Sequence, residues 1–248
     1  MKRNRNLVFS SVGDRNNVGS WLAGPEQPEF DLAVYYFGDA EGPGVVSDFL
    51  VRRKGFKFPN FHHFIESGAL NSYDAVWVAD DDIVMDTKSI NEMFRLFLRY
   101  QLLAAQPSFD RACRRPWATT FTNPRFILRY TNFVENGVVL FSTSIIGQIK
   151  HTFLNAGTGF GVDFIWPWIL GFPRDRIAVI DAVSCVHPND LPSTLNEVVP
   201  RPLHRVQGTE LLIRYGLLPG GTEAVDGVFV RPYDVEEYGG IERFEEKV

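Results

Sequence analysis

Tyr73-Asp74-Ala75-Val76-Trp77-Val78-Ala79-Asp80-Asp81-Asp82 is an apolar run that stops on three consecutive carboxylates. Val76, Trp77, Val78 and Ala79 show no polar alternation, so the stretch predicts a central strand of an α/β sheet, covered on both faces. Its end then lies near a crevice. In extended chain alternate side chains share a face, so Asp80 and Asp82 are expected to point together and Asp81 away. Two unit charges about 4 Å apart repel by roughly 4 kcal/mol at an effective dielectric near 20, so a fold that keeps both ionised is expected to supply a cation. Oxygen-only ligands favour Mg²⁺ or Mn²⁺. The plain alternative is a solvated acidic turn leading to the cap of the next helix.

The bulk of the chain frames that choice. With 248 residues, 45% hydrophobic and 22% charged, it predicts one compact domain with an appendage. A net charge of −5 argues against nucleic-acid binding through a broad basic surface but leaves room for a small anionic ligand. Cys113 and Cys185 form neither a metal-ligand pair by spacing nor a disulfide framework, which points to a reducing compartment and buried thiols. Leu7-Val8-Phe9 is too short for a secretory core, and no stretch approaches the roughly 18 apolar residues of a membrane span. The expectation is a cytoplasmic protein without a transmembrane segment, any membrane action being peripheral.

Leu7 to Ser10 reads as a short buried strand and Ser11 to Asn17 as the loop after it. Ligands of open α/β sheets bind outside the carboxyl ends of strands, so Ser11, Asp14 and Arg15 are candidate nucleotide contacts. Phe30 to Phe37 reads as a second strand, ending at Gly38-Asp39 and placing Asp39 near the same edge. Val46 to Val51 is a short amphipathic segment with a basic end. Lys54 to His63 combines cations with flat apolar faces, a mixture suited to a base and a diphosphate, which makes Lys57 and Asn60 candidates. Phe61, Phe64 and Ile65 keep helical spacing, so part of this segment packs.

Beyond the acidic triplet, Asp86 can cap a helix in which Ser89-Ile90-Asn91-Glu92 resembles a capping box and Ile90, Met93, Phe94, Phe97 and Leu98 form the apolar face. A strand follows Leu102 to Gln106, and Arg111, Arg114 and Arg115 read as a solvated cationic run. Thr119 to Asn123 and Phe133 to Phe141 read as two more strands. Glu135, a carboxylate inside so apolar a strand, needs a partner or faces a pocket. Ser144 to Leu154 predicts an amphipathic helix. Gly157 to Trp168 starts as a glycine loop and becomes an aromatic helix with Asp163 near its beginning. Asp163 either caps that helix or, in a concave site lined by Trp166 and Trp168, accepts a proton or orients a sugar. Ile177 to Val186 predicts a last strand ending at His187, on the edge of the two carboxylates. From Leu191 the chain turns rich in Pro and polar residues, with one short helix from about Gly208 to Tyr215, and reads as a wrap or lid.

Taken together, Asp80-Asp81-Asp82, Gly159-Phe160-Gly161-Val162-Asp163 and His187 resemble, in their order, the GT-A glycosyltransferases. Gln106-Pro107-Ser108, Phe133-Val134-Glu135 and Phe141-Ser142 extend the resemblance to an uncharacterised GT-A-like family of plants and bacteria, over roughly residues 7 to 190. Asp81 stands where Glu is more usual, and the tail after residue 190 lies outside the resemblance. The resemblance implies a GT-A-like, Rossmann-like mixed sheet flanked by helices in a single domain, residues 1–190 being catalytic and 191–248 an extension that wraps or covers it. It implies a metal-dependent transfer of sugar from a nucleotide-diphosphate donor, UDP- or GDP-linked, to a saccharide or other hydroxyl acceptor. Mn²⁺ or Mg²⁺ would sit on Asp80, Asp82 and His187, with Asp81 supporting or facing the sugar. Lys57 or Arg15 would add a positive contact. Asp163 would be the base in an inverting enzyme, whereas in a retaining one it positions the sugar and Glu135 becomes the residue to test. A nucleotidyltransferase shares such a core, but no glycine-rich basic loop follows the first strand. A non-catalytic nucleotide- or sugar-binding module is the remaining alternative.

Overall fold

In the computed structural model, which describes residues 4–113, 117–188, 199–220 and 230–243, the run that ends at Asp80 forms strand β4 (Ala75–Ala79), buried along its whole length. Around it the chain lays down β1 (Asn6–Val12), β2 (Asp31–Tyr36), β3 (Phe49–Arg52), β5 (Ala104–Phe109), β6 (Phe126–Thr131), β7 (Val138–Ser142), β8 (Ile177–Cys185) and β9 (Glu237–Glu242). Among the described residues these form one mixed sheet in the order β3-β2-β1-β4-β7-β5-β8-β6-β9. Strand β1 runs parallel to both β2 and β4, so the chain leaves β1 toward one side and returns on the other. The gap between the outgoing loops of β1 and β4 is therefore a topological switch point, where open α/β sheets bind ligands. Strand β7 is antiparallel to β4 and β5, and β8 is parallel to β5. The ends of β1, β4 and β8 and the beginning of β7 thus meet at one edge.

Both faces are covered, which is why β4 needs no alternation. Helix α2 (Thr87–Arg99) packs Ile90, Met93, Phe94 and Phe97 against the face that carries Trp77. Asp86 caps it, accepting from the Ser89 N–H at 2.8 Å. Ser89 lies inside the helix, so no capping box starts there. Leu98 is 40% exposed, and Leu96 is buried in its place. The opposite face carries α1 (Lys57–Glu66), α3 (Ile146–Asn155), α4 (Val162–Ile169) and α5 (Arg201–Arg214), whose apolar sides join Phe61, Phe64, Phe153, Trp166 and Leu212 in a second core. Cys113 and Cys185 are both free and buried. No helix of the described residues is long and apolar enough to cross a membrane.

Several elements differ from the sequence expectation for identifiable reasons. Strand β1 runs through Ser11 and Val12, because the parallel pairing with β2 continues to Val12 opposite Tyr36. Val46 to Val51 yields the edge strand β3, at Phe49–Arg52. The stretch from Thr119 holds a 3-10 turn, Ala118–Thr120. The sixth strand lies farther on, at Phe126–Thr131, with Arg129 inside it. That arginine is tolerated because Asp181 on β8 faces it at 2.8 Å. Strand β7 begins only at Val138, which leaves Phe133 to Gly137 as a connecting turn. Past residue 190, α5 is longer than expected and puts Leu211 and Leu212 in the core, while β9 pairs antiparallel with β6. Arg114, Arg115 and residues 189–198 lie outside the described residues.

Candidate functional site at the end of strand β4

The acidic triplet is not extended chain. The strand stops at Ala79 and the triplet turns, so the three side chains part toward three different partners instead of alternating. Asp80 Oδ1 receives the Lys57 ammonium at 2.6 Å. Asp81 Oδ2 accepts from the Gly13 N–H at 2.7 Å. Asp82 Oδ2 lies 2.9 Å from His187 Nε2. Asp81 therefore ties the β1 loop to the β4 turn. Burial, added to the neighbouring charges of Asp82 and Asp80, pushes its pKa up to about 7 despite the Gly13 bond.

The backbone of the turn is held by residues that carry no catalytic signature. Asn17 donates its N–H to Asp81 O and its side-chain amide to Asp82 O, both at 2.7 Å. Trp21 Nε1 donates to Ile83 O at 2.9 Å. On the far side, Val84 and Val186 exchange backbone bonds at 2.8 and 3.0 Å, which brings His187 beside Asp82. Burial alone would lower the His187 imidazole, but the bond to Asp82 and the charges of Asp82, Asp80 and Glu135 outweigh it and raise its pKa.

The turn before β7 completes the edge. Asp80 N–H donates to Gly137 O at 2.8 Å, and a Cβ on Gly137 would come within 2.9 Å of Asp80 Oδ2, so a side chain there would push the Asp80 carboxylate aside. Lys57 also donates to Asn136 O at 2.7 Å, and Asn136 Nδ2 donates to Asp163 Oδ2 at 3.2 Å. A continuous chain of contacts therefore runs from Asp80 through Lys57 and Asn136 to Asp163. Glycine Gly161, with φ of 91°, precedes α4, which puts Asp163 in the first turn of that helix instead of at its cap. Burial, with the charge of Glu135, pushes Asp163 up to about 7. Its Oδ1 is buried without a hydrogen-bond partner.

Glu135 sits in this turn, not within a strand. Oε1 accepts from Trp117 N–H at 2.9 Å and from Thr120 Oγ1 at 3.1 Å, and its own N–H donates to Gln106 Oε1 at 2.7 Å. Burial raises its pKa to about 7 against the help of those two donors and of His187. Replacement separates charge from scaffold. Glu135→Gln keeps an acceptor for Trp117 and, near pH 4, where the carboxyl is protonated in the folded chain and burial costs no charge, is expected to leave the melting temperature close to that of the wild type. Glu135→Ala strands a buried donor and should cost about 1–3 kcal/mol, measurable by denaturant unfolding. Equal stability of the two variants would show that the carboxylate does not hold this loop.

The remaining expected nucleotide contacts gather on the β1–β3 flank, apart from this chain of contacts. Ser11 Oγ is buried and accepts from Asn60 Nδ2 at 3.0 Å, while Asn60 Oδ1 accepts from Arg53 Nε at 2.9 Å. Asp14 accepts from the Tyr36 hydroxyl and from the N–H groups of Asp39 and Ala40, which hold its carboxyl below the ordinary range. Asp39 is exposed and pairs with Lys54 at 2.6 Å. Arg15 is exposed. Trp166 does not line a cleft: it is fully buried and donates to Thr152 Oγ1 at 3.0 Å, while Trp168 is 42% exposed. Asn17, Trp21, Asn136 and Gly137 were missed in the sequence, because nothing local marks a residue whose role is to bond a distant turn.

Among the described residues no three His, Cys, Asp or Glu side chains form a ready-made metal shell. The donor chemistry nevertheless suits a hard divalent cation, since Asp82 Oδ1 is a buried carboxylate oxygen without a hydrogen-bond partner. His187 Nε2 is already turned to the other oxygen of Asp82.

No family model and no curated protein matches this chain. Solved structures do. TarS of S. aureus superposes with a TM-score of 0.54 at 9% identity, over 86% of this chain and 43% of TarS, so the chain spans less than half of that protein. A mycobacterial protein superposes with a TM-score of 0.52 at 12% identity, over 96% of this chain and 85% of that one. The fold is GT-A-like. A Desulfovibrio desulfuricans protein described as a candidate nucleotide-diphospho-sugar transferase matches at a TM-score of 0.41 and 13% identity, over 86% of this chain and 98% of that one. That last likeness is too distant to bear on this site.

Proposed function

We propose that the protein is a metal-dependent glycosyltransferase that moves a sugar from a nucleotide-diphosphate donor to an acceptor hydroxyl. The observation that carries this reading is a pair of buried carboxylate oxygens without partners, Asp82 Oδ1 and Asp163 Oδ1. They lie on elements joined by the chain Asp80, Lys57, Asn136, Asp163. Buried polar atoms of folded proteins are nearly always paired, and those left over call for a ligand or a chemical role.

Asp80 and Asp82 would hold Mn²⁺ or Mg²⁺, with His187 either turning to the cation or, as now, orienting Asp82. The chemistry such a cation supplies is counter-charge for the departing nucleoside diphosphate. Lys57 fixes Asp80 and bridges it to the Asn136 turn. Asn136 holds one oxygen of Asp163 and leaves the other to take a proton. In the displacement a bond forms between the acceptor oxygen and the anomeric carbon, the bond from that carbon to the diphosphate breaks, and the hydroxyl proton passes to Asp163. Glu135, in a retaining variant of the reaction, is the carboxylate to test.

Incubation with a panel of nucleotide sugars and Mn²⁺ should release nucleoside diphosphate. Asp82→Ala should weaken Mn²⁺-dependent nucleotide binding by about 10²-fold or more, in line with the loss of a well-placed electrostatic contact, as read by calorimetry. Equal wild-type binding with and without Mn²⁺ would exclude the metal. A second reading follows from Lys57, whose ammonium already meets Asp80 at 2.6 Å: it faces the diphosphate in place of a divalent ion. Turnover that persists in EDTA and falls in Lys57→Ala would select that reading.

A further inference from the structure

A groove of about 310 Å³ opens between α5 and the loop that leads into α4, lined by Phe56, Phe160, Asn155, Gln207, Glu210 and Arg214 among others. We propose that this groove is a saccharide subsite that seats a unit of the sugar acceptor remote from the reacting hydroxyl, behind the loop that leads to Asp163. The acceptor role rests on the transferase reading; the sugar site is tested apart from it.

The chemistry of the lining is what favours a sugar. A pyranose offers a flat C–H face and a rim of hydroxyls, so it suits an aromatic platform edged by side chains that donate and accept in several directions. Phe160 is 38% exposed, an unusual position for so large an apolar ring, and His204 supports it at a ring separation of 5.2 Å. Arg214 Nη1 donates to Asn155 Oδ1 at 3.1 Å, which fixes both groups along the groove. Glu210 and Arg214 bring one charge of each sign, so the lining favours neither an anion nor a cation. The volume lies at the lower end of the range for small-molecule sites.

The position ties the groove to the reaction. Its wall from Gly157 to Phe160 is the loop that runs into Asp163. The other side of that loop faces the site, since a Cβ at Gly159 would lie 3.2 Å from Asn136 Oδ1. Asn136 is the residue that holds Asp163. Gly161, at φ of 91°, is pressed against α5, where a Cβ would lie 3.0 Å from Gly208 O. One thickness of chain therefore separates the groove from the carboxylate, and α5 sets where that chain runs.

The experiment is saturation-transfer NMR on the full chain with methyl glucoside, methyl mannoside and N-acetylglucosamine, and with glycerol as a polyol without a pyranose face. At least one pyranose should receive saturation, strongest at its C–H protons. Phe160→Ala should weaken its binding about tenfold or more, as expected for loss of an aromatic anchor. Leu98→Ala, on an exposed position of α2 across the sheet, should retain the signal, with thermal melts confirming that both variants fold. Absence of transfer to every pyranose, equal transfer to glycerol, or a signal that survives Phe160→Ala would overturn the proposal. A Phe160-dependent signal alongside a nucleotide-sugar panel that releases nothing would support the sugar site and sink the transferase reading alone.

Discussion

Asp163→Asn is expected to lower sugar transfer by about 10²- to 10⁴-fold, the usual share of a positioned general base, and to make the protein more stable at neutral and alkaline pH. Both effects come from one feature. The carboxyl is buried at the start of α4, with one oxygen bonded to Asn136 and the other unpartnered. Burial and the charge of Glu135 raise its pKa from 3.8 to about 7. Between those values the unfolded chain has released the proton while the folded chain retains it, so the folded state binds more protons and stability falls as pH rises. Above about 7 the folded protein carries the full cost of a buried charge. Asparagine removes that cost, so its stabilising effect should be absent near pH 4 and complete by about pH 8. Thermal melts at these two values, paired with kinetics, provide the check. In the wild type the rate should rise with pH to about 7 and then level, as the base loses its proton. A variant equally destabilised at both ends of the range would show that Asp163 is there to hold α4.

Arg129→Ala should cost about 3–5 kcal/mol of folding stability, the typical penalty for leaving one member of a buried ion pair alone. The guanidinium is 4% exposed and Asp181 is fully buried, with Nε to Oδ2 at 2.8 Å and Nη2 to Oδ1 at 2.9 Å. Arg129 also donates to Thr119 O at 2.9 Å and Phe121 O at 2.7 Å, and pairs with Glu237 on β9. One side chain thus joins β6, β8, β9 and the loop that carries Trp117 and Thr120, the two donors to Glu135. Chemical denaturation measures the loss. The double change Arg129→Met with Asp181→Leu should recover part of it, because no fully buried charge is left unpaired, while Glu237 turns to solvent and the Asn123 N–H loses its acceptor. A single variant that loses less than about 1 kcal/mol, the scale of an exposed pair, would refute the assignment.

Sequence was most informative where the signal was local. The unbroken apolar run from Ala75 to Ala79 specified a strand covered on both faces, and the helical spacing of Phe61 and Phe64 specified α1, because side-chain periodicity follows from backbone geometry over a few residues. The sequence also marked Asp80, Asp82, Asp163 and His187 as carboxylates and an imidazole at element ends, and Glu135 as a carboxylate in need of a partner. It misplaced Glu135 inside a strand and missed β6, since Arg129 looks unfavourable in a strand until Asp181, 52 positions away in the chain, meets it. Only the tertiary structure decided which charge meets which. His187 reaches Asp82 across 105 positions of sequence because β8 and β4 end at one sheet edge, where Val84 and Val186 pair. Lys57 meets Asp80 instead of standing free, and Asp81 ties down Gly13. Pairings of this kind depend on strand order and on where each strand stops, which long-range packing sets and no local pattern of side chains encodes.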